Sequence, residues 1–119
     1  MRVIIAGSRT VDEIKEVITA IQLSEFDVTT VICGECQGPD RLGKFWANLN
    51  NIPVESYIAQ WSIHGKGAGF IRNEIMATKA DALIAIWDGE SEGTADMIER
   101  AKKHNLKIYI YKPGSPYPV

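Results

Sequence analysis

Short apolar runs alternate with amphipathic segments from one end of the chain to the other. The apolar runs are rich in β-branched residues, as in the strands of a buried parallel sheet, and they cover residues 2–6, 29–33, 53–58, 82–87 and 107–111. In the segments between them, apolar residues recur at intervals of three or four, the spacing of amphipathic helices. The chain is therefore expected to alternate strand and helix through five strands.

Strict alternation of this kind predicts an α/β fold, a three-layer, Rossmann-like open parallel sheet with helices on both faces. We predict the strand order 3-2-1-4-5, with the third strand near an edge because Pro53 begins it. In such sheets ligands bind beyond the carboxyl ends of the strands, at the point where the strand order reverses. Residues 1–119 are expected to form one domain, with a loose tail over 112–119.

Sequence signals also predict features of individual elements. Residues 10–13 have the form of a capping box at the start of the first helix, and Asn105 suits a left-handed position after the last helix. Residues 60–67 are expected to form a loop. Four large apolar residues of the second helix are predicted to pack in the core, namely Leu42, Phe45, Trp46 and Leu49.

The charge balance argues against a phosphate polymer as the main partner. The net charge is -2 and the isoelectric point is near 5.7, so no excess of positive charge is available to neutralise duplex DNA or RNA. No apolar run approaches the roughly 20 residues that span a bilayer, and the N-terminus has no signal-peptide layout. A cytoplasmic protein without a membrane partner is therefore expected.

The spacing of Cys33 and Cys36 matches a redox pair, so a thiol redox protein is one hypothesis for this chain. Val31 and Ile32 stand before the first cysteine, where thioredoxin-like chains have a tryptophan, and this favours Cys33 as the last residue of a buried strand. The two histidines lack zinc-finger spacing to the cysteines. Neither a metal site nor a cofactor is predicted.

Three glycine-bearing turns lie where a strand is predicted to end and a helix to begin. A glycine lets the backbone approach a ligand closely, and the amides at the start of a helix favour an anion. The residues of these turns that we expect to contact a ligand are Gly7, Ser8, Arg9, Gly34, Gly38, Asp40, Gly89, Gly93 and Thr94. Taken alone, each turn could equally be an ordinary strand-to-helix connection.

Arg72 and Asn73 stand in the opening turns of a further predicted helix. A guanidinium can fork onto a phosphate or a carboxylate, so this pair is the strongest candidate for direct ligand contact, and a solvated surface pair is the alternative. Trp61, in a polar segment, is predicted to stack on a base, whereas Trp87 at the end of a buried strand is expected to pack. Together the four segments are expected to converge on one anionic, nucleotide-like ligand.

Seven stretches of the chain match a known family in order and spacing, namely residues 5–9, 34–42, 59–61, 65–69, 71–76, 81–85 and 93–98. They resemble the YspA cpYpsA-related group of the SLOG superfamily, a set of LOG- and Smf-like Rossmannoids. The resemblance covers roughly residues 2 to 111. It implies a Rossmann-like domain that binds nucleotides or nucleotide-derived signals in a pocket lined by Gly7, Ser8, Arg9, Gly38, Asp40, Arg72, Asn73, Gly93 and Thr94.

The sequence departs from its relatives in three places, one of which is Gln60, where the group usually has an acid before the tryptophan. The group's usual Gly-Gly-Ala-Arg-Gly-Ala-Asp corresponds to residues 34–40, where Glu35 replaces a glycine and Gln37 replaces the arginine. In the LOG phosphoribohydrolases, which cleave a base from a nucleoside monophosphate, a glutamate follows the Gly-Thr pair. Met97 occupies that place here, and Asp96 lies one residue earlier, about 100° away around the helix.

The leading hypothesis is a domain that senses, carries or sequesters a nucleotide or a nucleotide-derived small molecule. The alternative is an N-glycosidic hydrolase or transferase of the LOG type, in which a carboxylate stabilises or attacks the sugar carbon as the base leaves. The acids near the predicted pocket are Asp40, Asp88, Glu90 and Asp96, of which Asp40 and Asp96 are the catalytic candidates. Analogy with the relatives predicts a homodimer or a higher homo-oligomer.

Overall fold

Five parallel strands form one sheet in the order β3-β2-β1-β4-β5, as predicted. The computed structural model describes residues 1–114, so residues 115–119 of the predicted loose tail lie outside the described residues. The strands are β1 (Arg2–Gly7), β2 (Thr30–Cys33), β3 (Val54–Ser56), β4 (Ala82–Ile86) and β5 (Lys107–Tyr111). The order reverses between β1 and β4, whose carboxyl ends therefore border the crevice where a ligand is expected.

Helices cover both faces of the sheet and complete the predicted three-layer, Rossmann-like fold. They are α1 (Ile14–Ser24), α2 (Pro39–Leu49), α3 (Trp61–His64), α4 (Ala68–Lys79) and α5 (Glu92–Lys103). Helices α1 and α2 pack on one face with Val3 and Ile5 of β1, and α4 and α5 pack on the other with Ile4 and Ala6. Alternate residues of one strand thus serve both cores, as expected of a sheet buried on both faces.

Two predicted details are confirmed, the edge position of β3 and the left-handed conformation of Asn105. Every residue of β4, the most apolar strand, is 0% exposed, and β3 is a short strand at the sheet edge. Pro39 is the first residue of α2, where its missing N–H costs no helical hydrogen bond. Asn105 follows α5 with a left-handed φ of 58°. Within residues 1–114, no helix is long and apolar enough to cross a bilayer.

The predicted capping box at residues 10–13 is wrong. Helix α1 begins at Ile14, and Glu13 precedes it without a capping hydrogen bond from its side chain. Val11 is buried at 5% exposure, and its amide donates to the carbonyl of Ser8 at 3.1 Å. Because this buried valine anchors the segment, the chain turns across the end of the sheet before the helix can start.

The loop predicted over residues 60–67 is also wrong, since this segment contains α3 and a 3-10 turn over Gly65–Gly67. The amides of Ile63 and His64 donate to the carbonyl of Gln60 at 3.0 and 2.9 Å, which closes one helical turn. No glycine or proline interrupts residues 61–64. The polar composition of the segment therefore concealed a short helix that leads directly into α4.

The predicted core stripe of α2 is wrong for half of its residues. Leu42 and Trp46 pack against the core, but Phe45 is 54% exposed and Leu49 is 66% exposed. The helix instead faces the sheet with small residues, because a Cβ on Gly43 would lie 2.7 Å from Cγ2 of Ile5. This close approach leaves no room for large side chains between α2 and β1, so they lie at the flanks or in solvent.

The close packing of α2 on β1 predicts opposite effects of alanine at two helical glycines. Gly43→Ala is expected to lower the free energy of unfolding by about 1–2 kcal/mol, because overpacking against Ile5 outweighs the gain in helix propensity. A Cβ on Gly93 of α5 would meet no atom within 4 Å, so Gly93→Ala should stabilise the fold by about 0.4–1 kcal/mol. Urea denaturation measures both shifts, and a stabilised Gly43→Ala variant would contradict this packing.

Candidate functional site

A cleft of about 400 Å³ lies beyond the carboxyl ends of β1 and β4. This volume falls within the roughly 300–1,000 Å³ of small-molecule sites. Its walls come from the turns after β1, β2 and β4, from α3 and the start of α4, and from the first turns of α5. The polar, glycine and aromatic residues of the lining include Gly7, Arg9, Thr10, Cys36, Asp40, Trp61, Lys66, Phe70, Arg72, Asn73, Asp88, Ser91, Gly93 and Thr94.

The structure brings most of the predicted site residues to this cleft. Those that line it are Gly7, Arg9, Asp40, Trp61, Arg72, Asn73, Gly93 and Thr94. Those that lie outside the lining are Ser8, Gly34, Gly38, Gly89 and Asp96. Arg72 and Thr94 therefore line one cleft, although they come from different helices.

Ser8 joins two turns and does not face the cleft. It is fully buried, its amide donates to the carbonyl of Ile86 at 2.9 Å, and its Oγ accepts from the amide of Asp88 at 2.9 Å. These contacts tie the exit of β1 to the exit of β4. The Ser8 hydroxyl, predicted to contact a ligand, thus has a partner within the protein and lies outside the cleft lining.

Gly34 and Gly38 shape the wall rather than forming its surface. A Cβ on Gly34 would lie 2.7 Å from Nη1 of Arg72 and 2.8 Å from Oδ2 of Asp40, so any side chain would separate these two charged groups. Gly38 has a left-handed φ of 85°, which favours glycine. Gly89 also has a positive φ, of 89°, and sits in an exposed turn after β4.

Asp40 is a carboxyl buried in the cleft wall, 5% exposed. Its Oδ2 accepts from the amide of Gly34 at 3.1 Å and from the amide of Cys36 at 3.4 Å. Burial raises the pKa of Asp40 to about 6, against the opposing effects of the Arg72 charge and of these amides. The group can therefore hold or release a proton near neutral pH.

The guanidinium of Arg72 is held by two of its three nitrogens. Its Nε donates to Oδ1 of Asn73 at 3.1 Å, and its Nη1 donates to the carbonyl of Gly34 at 2.7 Å and contacts Sγ of Cys36 at 3.6 Å. Within residues 1–114, Nη2 has no hydrogen-bond partner. A fixed guanidinium with unused donors can bind a phosphate or carboxylate oxygen at little entropic cost.

The remaining charges of the cleft are of both signs. Arg9 and Lys66 are exposed cations of the lining, and Lys66 is not among the site residues predicted from the sequence. Its position between two glycines just before α4 was the available signal. Asp88 is an acid of the same lining: its Oδ1 accepts from the amides of Glu90 and Ser91, both at 2.8 Å, and these bonds hold the pKa of Asp88 below its usual value.

Two aromatic side chains border the cleft with exposed rings. Trp61 is 53% exposed and Phe70 is 42% exposed. A Cβ on Gly69 would lie 3.5 Å from the Trp61 ring, so the indole lies close over this glycine. Trp87, by contrast, packs against the core and donates its indole N–H to the carbonyl of Ser91 at 3.1 Å. Trp61 therefore offers the surface for stacking.

Neither cysteine supports the redox hypothesis. Cys33 and Cys36 are both free, and Cys33 is fully buried. Burial raises the pKa of the Cys33 thiol, which disfavours the thiolate needed for disulfide exchange. Among the described residues there is also no cluster of histidine, cysteine and acidic side chains that could hold a metal ion.

Sequence comparison assigns the chain to a known family. A family model described as the YspA, cpYpsA-related SLOG family matches residues 1–64. The gene 61 protein of Mycobacterium phage D29 is 31% identical over 117 residues, which cover 90% of this chain and 93% of the phage protein. The chain belongs to the YspA, cpYpsA-related SLOG family. The resemblance inferred from the motifs is thereby confirmed.

A solved structure of similar fold comes from a longer protein. DNA processing protein A (DprA) from Streptococcus pneumoniae superposes with a TM-score of 0.75 over 97% of this chain, at 21% identity. This SLOG chain spans about half the length of DprA, since the match covers 50% of that protein. Likeness at this level of identity establishes the Rossmann-like fold alone.

The buried carboxyl predicts a pH dependence of stability. Because the pKa of Asp40 is about 6 in the folded state and near 4 when unfolded, only the folded state holds the proton between these values. Stability from this group is therefore full below about pH 4, falls as pH rises towards about 6, and then stays level. Asp40→Asn keeps an acceptor for both amides and removes this titration.

The measurement is urea denaturation of the natural protein and of Asp40→Asn across this pH range. Relative to the variant, the natural protein should lose roughly 2–3 kcal/mol between about pH 4 and about pH 8. Because the other carboxylates are the same in both proteins, their contribution to the pH dependence of stability cancels in the difference. A constant difference between the two proteins would show that Asp40 does not titrate as described.

Proposed function

We propose that this SLOG domain binds a nucleotide or a nucleotide-derived small molecule in the cleft between β1 and β4. The observation that carries the proposal is the guanidinium of Arg72, which the protein holds by Nε and Nη1 while Nη2 remains without a partner among the described residues. Family membership and the Rossmann-like fold support nucleotide-related binding or processing. The net charge of -2 favours a small anion over duplex nucleic acid.

The distribution of groups in the lining suggests how such a ligand is held. Arg9, Lys66 and Arg72 are the cations available to a phosphate. Trp61 offers an exposed ring for a base, and stacking on an aromatic ring tolerates every base. Asp88, in the turn after β4, keeps an ionised carboxylate in the lining, suited to accept hydrogen bonds from sugar hydroxyls.

N-glycosidic cleavage of a nucleoside monophosphate is a second candidate function, and Asp40 is the observation that favours it. Its carboxyl lies in the cleft wall with a pKa of about 6, near the range of a catalytic acid or base. Met97, however, lines the cleft at the place of the LOG glutamate, and an apolar thioether cannot stabilise a developing cation. Binding without cleavage is therefore the better supported function.

The two functions are separated by incubating the protein with adenosine, guanosine, cytidine and uridine monophosphates. Free base in the chromatogram that disappears in Asp40→Asn would establish cleavage. Thermal stabilisation by one of these nucleotides without release of base would establish binding alone. Absence of both effects with every nucleotide would contradict the proposed function.

Arg72→Ala tests the group on which the binding proposal rests. Loss of a charge-assisted hydrogen bond of about 1.5–3 kcal/mol should weaken the affinity for a bound nucleoside monophosphate by roughly tenfold to a hundredfold. Arg41→Ala is the matched control, because Arg41 is exposed on α2 and lies outside the cleft lining. Isothermal titration calorimetry measures both variants, and equal losses of affinity would point to net charge instead of the cleft.

We further propose that the domain pairs with a second copy of itself through the apolar face of α3 and α4. This face comprises Ile58, Ile63, Phe70, Ile71 and Ile75, each 41–70% exposed. Three of them, Ile58, Ile71 and Ile75, line one groove, whereas Phe70 borders the neighbouring cleft. Its exposed area is on the order of 500 Å², at the upper end of the apolar patches that monomers leave in solvent. A standard interface buries roughly 800 Å² per partner, so this face would supply a large part of one.

A second copy is the partner proposed for this face because all five of its residues are apolar, although Arg72 and His64 border the groove that Ile58, Ile71 and Ile75 line. Two identical apolar faces can meet about a two-fold axis without opposing like charges. Ile71→Asp should therefore weaken self-association at least tenfold in analytical ultracentrifugation, since it would bury a carboxylate without a partner. Leu49→Asp, at an equally apolar and exposed site on α2, should have no effect. A natural protein that stays monomeric at micromolar concentration would contradict this pairing.

A further inference from the structure

Both ends of the Asn73 side chain are engaged by the protein. Its Oδ1 accepts from Nε of Arg72 at 3.1 Å, and its Nδ2 donates to Oδ2 of Asp96 at 3.0 Å and to the carbonyl of Gly93 at 3.3 Å. The residue is 5% exposed. Although Asn73 borders the cleft, its amide therefore has little capacity left for a ligand.

Asp96 is in turn held by charged groups on the far side of Asn73. Its Oδ2 also accepts from Nε of Arg100 at 2.8 Å, and Nη1 of Arg100 donates to Oε1 of Glu74 at 3.1 Å. These contacts join α5 to α4 and hold the Asp96 carboxylate in place. Asp96 lies outside the cleft lining, so its carboxylate is not available to a reacting sugar.

We propose that Asp96 is a positioning residue for Arg72 and acts through the orientation of the Asn73 amide. This inference rests on the proposed function, since it concerns the residue expected to bind the ligand anion. A carboxylate can only accept hydrogen bonds, so it requires the NH₂ group of Asn73 to face α5. The amide oxygen then faces Arg72 and fixes Nε, while Nη2 keeps its donors free among the described residues.

The reverse orientation of the amide is disfavoured at both ends. It would place two donors, the NH₂ group and Nε of Arg72, against each other. It would also place three acceptors together, namely the amide oxygen, the Asp96 carboxylate and the carbonyl of Gly93. Asp96 thus converts an asparagine with two possible orientations into a fixed acceptor for Arg72.

A charge exchange between positions 73 and 96 tests this inference. Asn73→Asp alone places a second carboxylate about 3 Å from Asp96, so the two repel and the contact to Arg72 is displaced. The double variant Asn73→Asp/Asp96→Asn restores a donor opposite an acceptor, and Asp96→Asn completes the double-mutant cycle. Glu99→Gln is the control, since Glu99 lies on the same helix and pairs only with exposed Lys102 among the described residues.

Two readouts are measured for each variant. The first is the affinity for adenosine 5′-monophosphate, and the second is the Nε–H resonance of Arg72 in the free protein, assigned with Arg72→Lys. Asn73→Asp is expected to weaken binding at least tenfold and to shift this resonance. The double variant is expected to bring the affinity within about threefold of the natural protein and to return the resonance, whereas Glu99→Gln changes neither.

The inference is overturned if Asn73→Asp binds as the natural protein does, or if the double variant regains stability and the resonance without regaining affinity. If the natural protein binds none of the nucleoside monophosphates, the proposed function fails, and the resonance alone decides on the positioning. Should Asn73→Asp not fold, Asp96→Ala replaces it. That variant removes one of the two acceptors of Nδ2, and an unchanged Arg72 resonance would overturn the inference.

Discussion

The meeting of Asp40, Gly34 and Arg72 is the constraint on which the cleft depends. A carboxyl that is 5% exposed is costly to ionise, and here two backbone amides and a neighbouring guanidinium offset part of that cost. Because Arg72 also donates to the carbonyl of Gly34, the same contact joins α4 to the exit of β2. Buried charge pairs contribute little net stability, so this junction serves to fix the relative position of α2, β2 and α4.

Similar polar contacts hold other parts of the cleft wall together. Ser8 ties the exits of β1 and β4 through the amide of Asp88, and Asn73 joins α4 to α5 through Asp96. Among residues 1–114, no buried side-chain nitrogen or oxygen lacks a hydrogen-bond partner. The walls are thus held before any ligand arrives, which reduces the entropy lost on binding. Nη2 of Arg72, a residue of the cleft lining, is left without a hydrogen-bond partner among the described residues.

The contacts of Glu35 account for the most marked departure from the family pattern. Glu35 has a left-handed φ of 63°, a conformation for which glycine is better suited. Its Oε1 accepts from Lys44 at 3.0 Å and from Ser56 at 2.9 Å, and these bonds hold its pKa below the usual value. The acid therefore fastens the turn after β2 to the neighbouring strand β3. It lies outside the cleft lining, so it does not oppose an anion there.

The alternation, the strand order and the exits of β1 and β4 follow from the sequence by itself, because buried parallel strands require apolar runs and their crossovers are right-handed. The residue types and their positions at predicted strand ends and helix starts likewise predicted that Arg9, Arg72 and Gly93 would line the cleft. Only the tertiary structure decided which polar atoms face the cavity. Ser8 and Asp88 are 80 positions apart, and Gly43 packs on a strand far from it in the chain. Contacts of this range leave no periodic signal, since they depend on how two separate elements meet.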